Sequence, residues 1–238
     1  MVNWFWRKRT RTEAPKLRSR SADLAARRVE LGQLTPGLLH YLGQSSYLQL
    51  ALFENLARAT ANAPTTEAKD TLSHVTALSL TKHHGLTALI RKHGSQPGAA
   101  MDPFTTGIDD YQRRTQGSDW PETLMSCFLT AGFLDDFFSA LAEGLPKEYA
   151  EGVAAILDTD DGALELAALL RAQIDANPRL ASRLAMWGRR LIGDTMLLAK
   201  SALVASANVA KDEERIEPVF TELIAAHTRR MDGLGLTA

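Results

Sequence analysis

The chain has 238 residues, 45% hydrophobic and 23% charged, enough for one ordinary globular domain or two small ones. Its longest uninterrupted apolar runs fall far short of the roughly 20 residues of a membrane-spanning helix, and its basic start lacks the apolar stretch of a secretory signal. The net charge is −1, and the single cysteine, Cys127, excludes an internal disulfide and predicts a reducing, cytoplasmic setting.

That small net charge conceals an asymmetry. Residues 1–20 carry seven Lys/Arg and one acid, Glu13, while the other 218 residues hold 20 basic and 27 acidic side chains. Trp4-Phe5-Trp6 runs directly into Arg7-Lys8-Arg9. Aromatic rings beside cations suit an anionic membrane surface or RNA, and they equally suit packing on the acidic body. A short basic amphipathic segment over 22–31 completes an N-terminal region of residues 1–34.

From residue 35 the turn chemistry divides the chain into helices. Thr35-Pro36 reads as an N-cap and first helical residue, opening a helix to about residue 61. Pro64-Thr65-Thr66 turns into a second helix that stops at His93-Gly94, glycine being the usual C-terminal stop. Residues 95–118, rich in Gly, Pro and Thr, read as a long connection. Asp119-Trp120-Pro121-Glu122 reads as a capping box for a third helix, which ends at Gly144-Leu145-Pro146. Helical sequence resumes over 147–175 with a break around 158–162. Asn177-Pro178 opens a long helix to about residue 206, and a last one covers roughly 218–231. No segment alternates with period two, so the chain is expected to be all-α. Two long helices joined tightly, a long crossover and further long helices give the connectivity of a ferritin-like antiparallel bundle with additional C-terminal helices, over residues 35–236.

Polar residues interrupt the faces that should be apolar. The first helix has a stripe at Leu38, Leu42, Ser45, Gln49, Leu52 and Leu56; the second has Leu72, Val75, Ser79, Lys82, Leu86 and Leu89. Gln49 lies fifteen residues before Pro64 and Ser79 fifteen after it. In an antiparallel pair both sit at one height, roughly 22 Å from the turn, with Lys82 one turn deeper. The third helix places Asp135 within its arc of Leu124, Cys127, Phe128, Ala131, Leu134, Phe138 and Leu141, and the long C-terminal helix places Asp194 between Leu191 and Leu198. A buried carboxylate costs several kcal/mol unless it is paired or metal-bound.

Several segments carry a family resemblance. Phe53-Glu54-Asn55-Leu56-Ala57 leading to Ala63-Pro64-Thr65, Arg113-Arg114-Thr115 with Ser118-Asp119-Trp120, Asp175-Ala176-Asn177-Pro178-Arg179-Leu180, Trp187-Gly188-Arg189-Arg190-Leu191 and His227-Thr228-Arg229-Arg230-Met231 resemble ferritin-like proteins similar to the tRNA 2-methylthio-N6-isopentenyladenosine hydroxylase. The resemblance spans about residues 35–236. It implies a ferritin-like fold and a di-iron centre built from a Glu on the first helix, Glu-x-x-His on the second, a carboxylate on the third and a second Glu-x-x-His-like pair.

This chain departs from that pattern at each ligand. The height argument puts Gln49 at the first helix's carboxylate and Ser79 and Lys82 at the Glu-x-x-His pair. None of the six histidines has an acid three residues before it; those positions hold Gly37, Thr71, Leu80, Thr81, Ile90 and Ile224. Asp158 and Asp161 are candidates for the second pair, without its histidine. Lys82 is therefore read either as a replacement for the metal's charge, neutralising Asp135 or Asp194 while Gln49 and Ser79 complete a network, or as a side chain that snorkels to solvent.

Other residues point to structure more than chemistry. Cys127, among Met125, Phe128 and Ala131, reads as a buried, inert thiol. His83 and His84 point about 100° apart on a helix and suit hydrogen bonding better than a shared metal. Glu54 lies on a second arc with Tyr47, Leu50 and Ala57, facing either a gap between helices or solvent. Glu165 and His227 have no partner by spacing, and Asp109-Asp110 and Asp160-Asp161 read as helix-start or loop acids. No phosphate loop, nucleophile elbow or zinc spacing is present.

The expected function is a non-catalytic binding or structural module with a degenerate di-iron site and an unidentified protein partner. No catalytic residue, metal ligand or cofactor is assigned to it. The resemblance implies as the alternative a di-iron hydroxylase acting on a hypermodified adenosine of tRNA. A peripheral membrane component using residues 1–20 is the third reading.

Overall fold

The computed structural model describes residues 34–203 and 209–237, so the N-terminal arm and the segment 22–31 lie outside the described residues. Among the described residues every regular element is helical: α1 (Leu38–Ala61), α2 (Thr66–Lys92), α3 (Pro97–Met101), α4 (Thr105–Thr115), α5 (Trp120–Ala142), α6 (Lys147–Leu157), α7 (Ala163–Ala176), α8 (Arg179–Ser201) and α9 (Val209–Gly233). The expected all-α bundle is what forms.

Local chemistry sets most of the boundaries. The side-chain oxygen of Thr65 accepts from the Ala68 N–H at 3.1 Å, capping α2. The far end of α2 closes at Gly94, whose φ of +83° only glycine adopts freely. Asp119 caps α5 by accepting from the Glu122 N–H at 3.1 Å. The reciprocal arm of the expected capping box is displaced by one residue, because Glu122 accepts from the N–H and hydroxyl of Ser118.

Tertiary contacts move four expected boundaries. Thr35 does not cap α1. Its hydroxyl donates to the Leu141 carbonyl at 2.6 Å, and α1 starts at Leu38 after Gly37, with no side-chain cap bond. The long connection 95–118 is largely helical, as α3, a 3-10 turn over Asp102–Phe104 and α4. Its burial of Ile108, Tyr111 and Thr115 at three- and four-residue spacing gives α4 an inward face. The long helix α8 stops at Ser201, short of residue 206. The last helix begins at Val209, with Pro218 inside it. Pro218 removes one intrahelical bond, and the burial of Val219, Phe220 and Leu223 immediately after it holds the helix together.

The bundle is organised around α5. By length and composition this helix could cross a membrane, yet 78% of its apolar window is buried inside the protein, as expected for a central core helix. α1, α6, α7, α8 and α9 all pack against it, and α2 packs on α1, α6 and α7. Two apolar clusters fill the interior. One includes Tyr41, Leu42, Leu86, Phe137 and Phe138; the other includes Leu56, Leu72, Val75, Leu124 and Leu166. Along α1, α2 and α5 the clusters occupy opposite ends, and the level between them holds Gln49, Ser79, Lys82 and Asp135. The crossover lies tightly on α1, where a Cβ at Gly43 would stand 2.0 Å from the Ala100 carbonyl oxygen, so only glycine fits.

Candidate functional site

The polar level is a connected network. Ser79 donates to the backbone carbonyl of Gln49 at 3.0 Å, with the Gln49 side-chain oxygen at 3.3 Å. Two residues fifteen positions either side of the turn therefore meet at one height, as their spacing predicts. The Gln49 amide donates to Asp135 Oδ1 at 2.8 Å. Lys82 Nζ donates to Asp135 Oδ2 at 2.7 Å and to the Leu157 carbonyl at 3.1 Å. Both carboxylate oxygens accept, and the ammonium is 2% exposed. Lys82 thus reaches Asp135 and does not snorkel. Asp194, the other acid considered for it, faces Arg114 at 3.4 Å between α4 and α8.

The fourth wall of this level differs from that of a continuous bundle helix. α6 ends at Leu157 and α7 starts at Ala163. Leu157 is the last residue of α6, so its carbonyl belongs to the end that lacks intrahelical donors and carries the negative pole of the helix. The Lys82 ammonium satisfies that carbonyl. The intervening turn is pressed against α2: Gly162 has φ +70°, and a Cβ there would lie 2.6 Å from Val75 Cγ2. Asp161 Oδ1 accepts from the Ala163 N–H at 2.9 Å, which commits it to starting α7. Asp158 is exposed on the outer face. The expected second ligand pair is thereby divided between a helix start and the surface.

Electrostatics agree with this arrangement. Burial pushes the Asp135 carboxyl above the usual carboxylate range, Lys82 and Gln49 pull it back down, and Asp161 adds to the rise. An ion pair this deep is kept only when its remaining polar atoms are satisfied, which Gln49 and the Leu157 carbonyl accomplish. The space among Gln49, Ser79, Lys82, Asp135 and Asp161 is about 10 Å³, room for one water at most. A second small cavity of about 30 Å³ lies on the other side of Asp135, lined by Tyr111, Gln112, Ser126 and Thr130 among others. Tyr111 shares its hydroxyl with Thr130 at 2.8 Å and Thr195 at 2.9 Å, tying α4, α5 and α8 together.

The residues present do not fit a di-iron centre. Such a centre needs carboxylate and imidazole donors on four facing helices. The facing positions at this level hold a cation (Lys82), an amide (Gln49), a hydroxyl (Ser79) and one carboxylate (Asp135), and the fourth wall is a helix end. Among the described residues no group of three or more His, Cys, Asp or Glu is placed to hold a metal ion.

The remaining candidates resolve into structural roles. Cys127 is buried, and burial pushes its thiol up to about 12. His83 Nδ1 meets the Ser46 carbonyl at 2.9 Å across the α1–α2 seam, and burial lowers its pKa; His84 is exposed. Glu54 faces solvent and Glu165 is half-buried. Asp109 accepts from the Tyr47 hydroxyl at 2.8 Å, Asp110 pairs with Arg113, and Asp160 accepts from the Gly162 N–H. His227 is 4% exposed, with Nε2 unpartnered among the described residues and its pKa pulled down to about 4, chiefly by burial. Sequence reasoning missed the Leu157 carbonyl as a partner of Lys82 and Tyr111 as the link between the crossover and α8. A backbone carbonyl has no sequence signature, and the helix break at 158–162 was the only pointer to it.

The family described as ferritin-like domain, actinomycetes, matches residues 33–212. No curated protein matches the chain.

Proposed function

The chain belongs to the ferritin-like domain family of actinomycetes, and from that premise we propose that it is a non-catalytic binding or structural module in which a buried ion pair replaces the di-iron centre. The observation that carries this reading is Lys82 Nζ at 2.7 Å from Asp135 and 3.1 Å from the Leu157 carbonyl. An ammonium held there supplies one positive charge to the carboxylate at the centre of the bundle. It supplies no redox chemistry and leaves no open coordination position. Gln49 and Ser79, both buried, complete the polar level as neutral groups, so the level holds the helices in register where a metal would otherwise do so.

The competing reading is the di-iron hydroxylase of a hypermodified tRNA adenosine that the sequence resemblance implies. It requires ligands supplied from elsewhere in the chain. Anaerobic titration of the full-length protein with ferrous iron, followed by metal analysis, separates the two. The expected outcome is no stoichiometric iron. Two tightly bound irons per chain would overturn the proposal in favour of an oxygenase.

A further inference from the structure

A surface groove of about 570 Å³ lies where α5, α6 and α9 meet. Its floor is small and apolar, with Ala140, Ala150, Ala154, Val219, Leu223 and Ala226. Its rim carries Asp136, Glu143, Glu151, Asp158 and Glu222, against Arg229 as the cation among the described lining residues. Glu222 is paired with Arg229 at 2.9 Å, and Asp136 with Arg230 at 2.7 Å. Glu151 and Asp158 are exposed and make no ion pair among the described residues. Covering the floor would remove apolar surface from water, and cations along the rim would relieve its self-repulsion.

The chain itself carries a segment with that chemistry, and it enters the bundle on α5, the helix whose other face lines the groove. The described residues start at Leu34, which is buried, and the Thr35 hydroxyl is tied to the Leu141 carbonyl at 2.6 Å. Leu141 is a core residue on the inner face of α5, and Asp136, Ala140 and Glu143 of the same helix line the groove. The preceding residues, 1–33, hold nine Lys/Arg and three Asp/Glu, and residues 34–238 hold 18 Lys/Arg and 25 Asp/Glu. Residues 1–33, tethered across the width of α5 from the groove, are long enough to reach it, and the tether gives an effective concentration in the millimolar range, so a few weak charge contacts are enough to seat the segment.

We propose that the basic N-terminal segment, residues 1–33, docks into the groove between α5, α6 and α9 of its own chain, with its cations along the acidic rim. Docking covers the alanine-rich floor and keeps the basic aromatic arm away from other anionic surfaces. An anionic membrane then competes with the groove for the same cations.

Zero-length carbodiimide coupling on the full-length protein tests this, because Lys8 and Lys16 supply side-chain amines in the arm. Links from either lysine to Glu151, Asp158 or their rim neighbours are expected, and in a mixture of isotopically light and heavy protein they should join chains of one isotope only. They should disappear in the Glu151→Lys/Asp158→Lys variant. They should persist in Asp70→Lys/Asp175→Lys, which adds the same charge at exposed sites away from the groove. Links only between light and heavy chains, links that survive Glu151→Lys/Asp158→Lys, or none to the rim would each overturn the proposal. A second measurement uses vesicles of phosphatidylcholine and phosphatidylserine. The groove variant should bind them roughly fivefold tighter than the charge-matched control, about the gain from one freed cation. Equal binding of the two variants would count against docking.

Discussion

Lys82 on α2 and Asp135 on α5, 53 residues apart, form a 2.7 Å ion pair at the level that separates the two apolar clusters of the bundle. Neighbouring groups satisfy both of its members. Gln49 donates to the second carboxylate oxygen, and the Leu157 carbonyl accepts from the ammonium. Removing either partner leaves a buried charge without compensation, whereas removing both leaves two neutral gaps.

Lys82→Met is therefore expected to destabilise the protein by about 3–5 kcal/mol, the usual cost of breaking a buried pair. Lys82→Met combined with Asp135→Asn should cost less than the sum of the single changes by more than about 1 kcal/mol. Urea unfolding of the four proteins at pH 7 gives the cycle. Simple additivity would show that the two side chains act independently.

His227 makes stability depend on pH. Its other ring nitrogen meets the Gly188 carbonyl, Nε2 has no partner among the described residues, and burial with the nearby Arg230 holds its pKa at about 4. The unfolded chain takes up this proton near pH 6.5. The stabilisation from the neutral ring is thus complete above pH 6.5 and is lost as pH falls through that value towards 4, by about 3 kcal/mol. His83 acts in the same direction, and the raised carboxyl of Asp135 opposes it, since a raised acid favours the folded state as pH falls. Comparing wild type with His227→Leu cancels both. The stability difference between the two proteins should shift by about 3 kcal/mol between pH 7 and pH 4 in chemical denaturation, and a constant difference would refute the assignment.

Gly162 holds the break between α6 and α7 against α2. Its φ of +70° disfavours any other residue, and a Cβ would enter the space of the Val75 side chain. Gly162→Ala should cost about 1–3 kcal/mol from overpacking and backbone strain combined. Val75→Ala in the same protein should return part of that loss by making room for the added methyl, a rescue that thermal unfolding of the single and double variants would reveal.

Much of this architecture was legible in the sequence. Helix starts at Thr65 and Asp119 carry side-chain caps, the stop at Gly94 carries glycine, and the 3.6-residue periodicity marks the buried faces. Equal spacing of Gln49 and Ser79 about Pro64 was sufficient to place them at one height, because a tight turn fixes the register of an antiparallel pair. The crossover read as a loop because its glycines, prolines and threonines disfavour helix locally; its helices form where Ile108 and Tyr111 find burial against the bundle. Thr35 looked like a cap because Thr-Pro suits one, and its hydroxyl goes instead to a carbonyl more than a hundred residues away. The last helix reads as starting near residue 218 because proline suits a first helical turn, whereas the structure carries it back to Val209 with Pro218 inside.

The sequence by itself determined that the bundle is helical, that its centre is polar, and that the di-iron ligand pattern is absent, since these follow from periodicity and residue type along one chain. Only the tertiary structure decided what the polar residues do. Asp135 and Asp194 both interrupt apolar helix faces, and Lys82 chooses Asp135 because α2 and α5 face each other across the bundle centre, which brings that carboxylate within 2.7 Å, while Asp194 faces Arg114. The second anchor of Lys82 is a backbone carbonyl at a helix end. Every residue type carries such a carbonyl, so only the fold can select one.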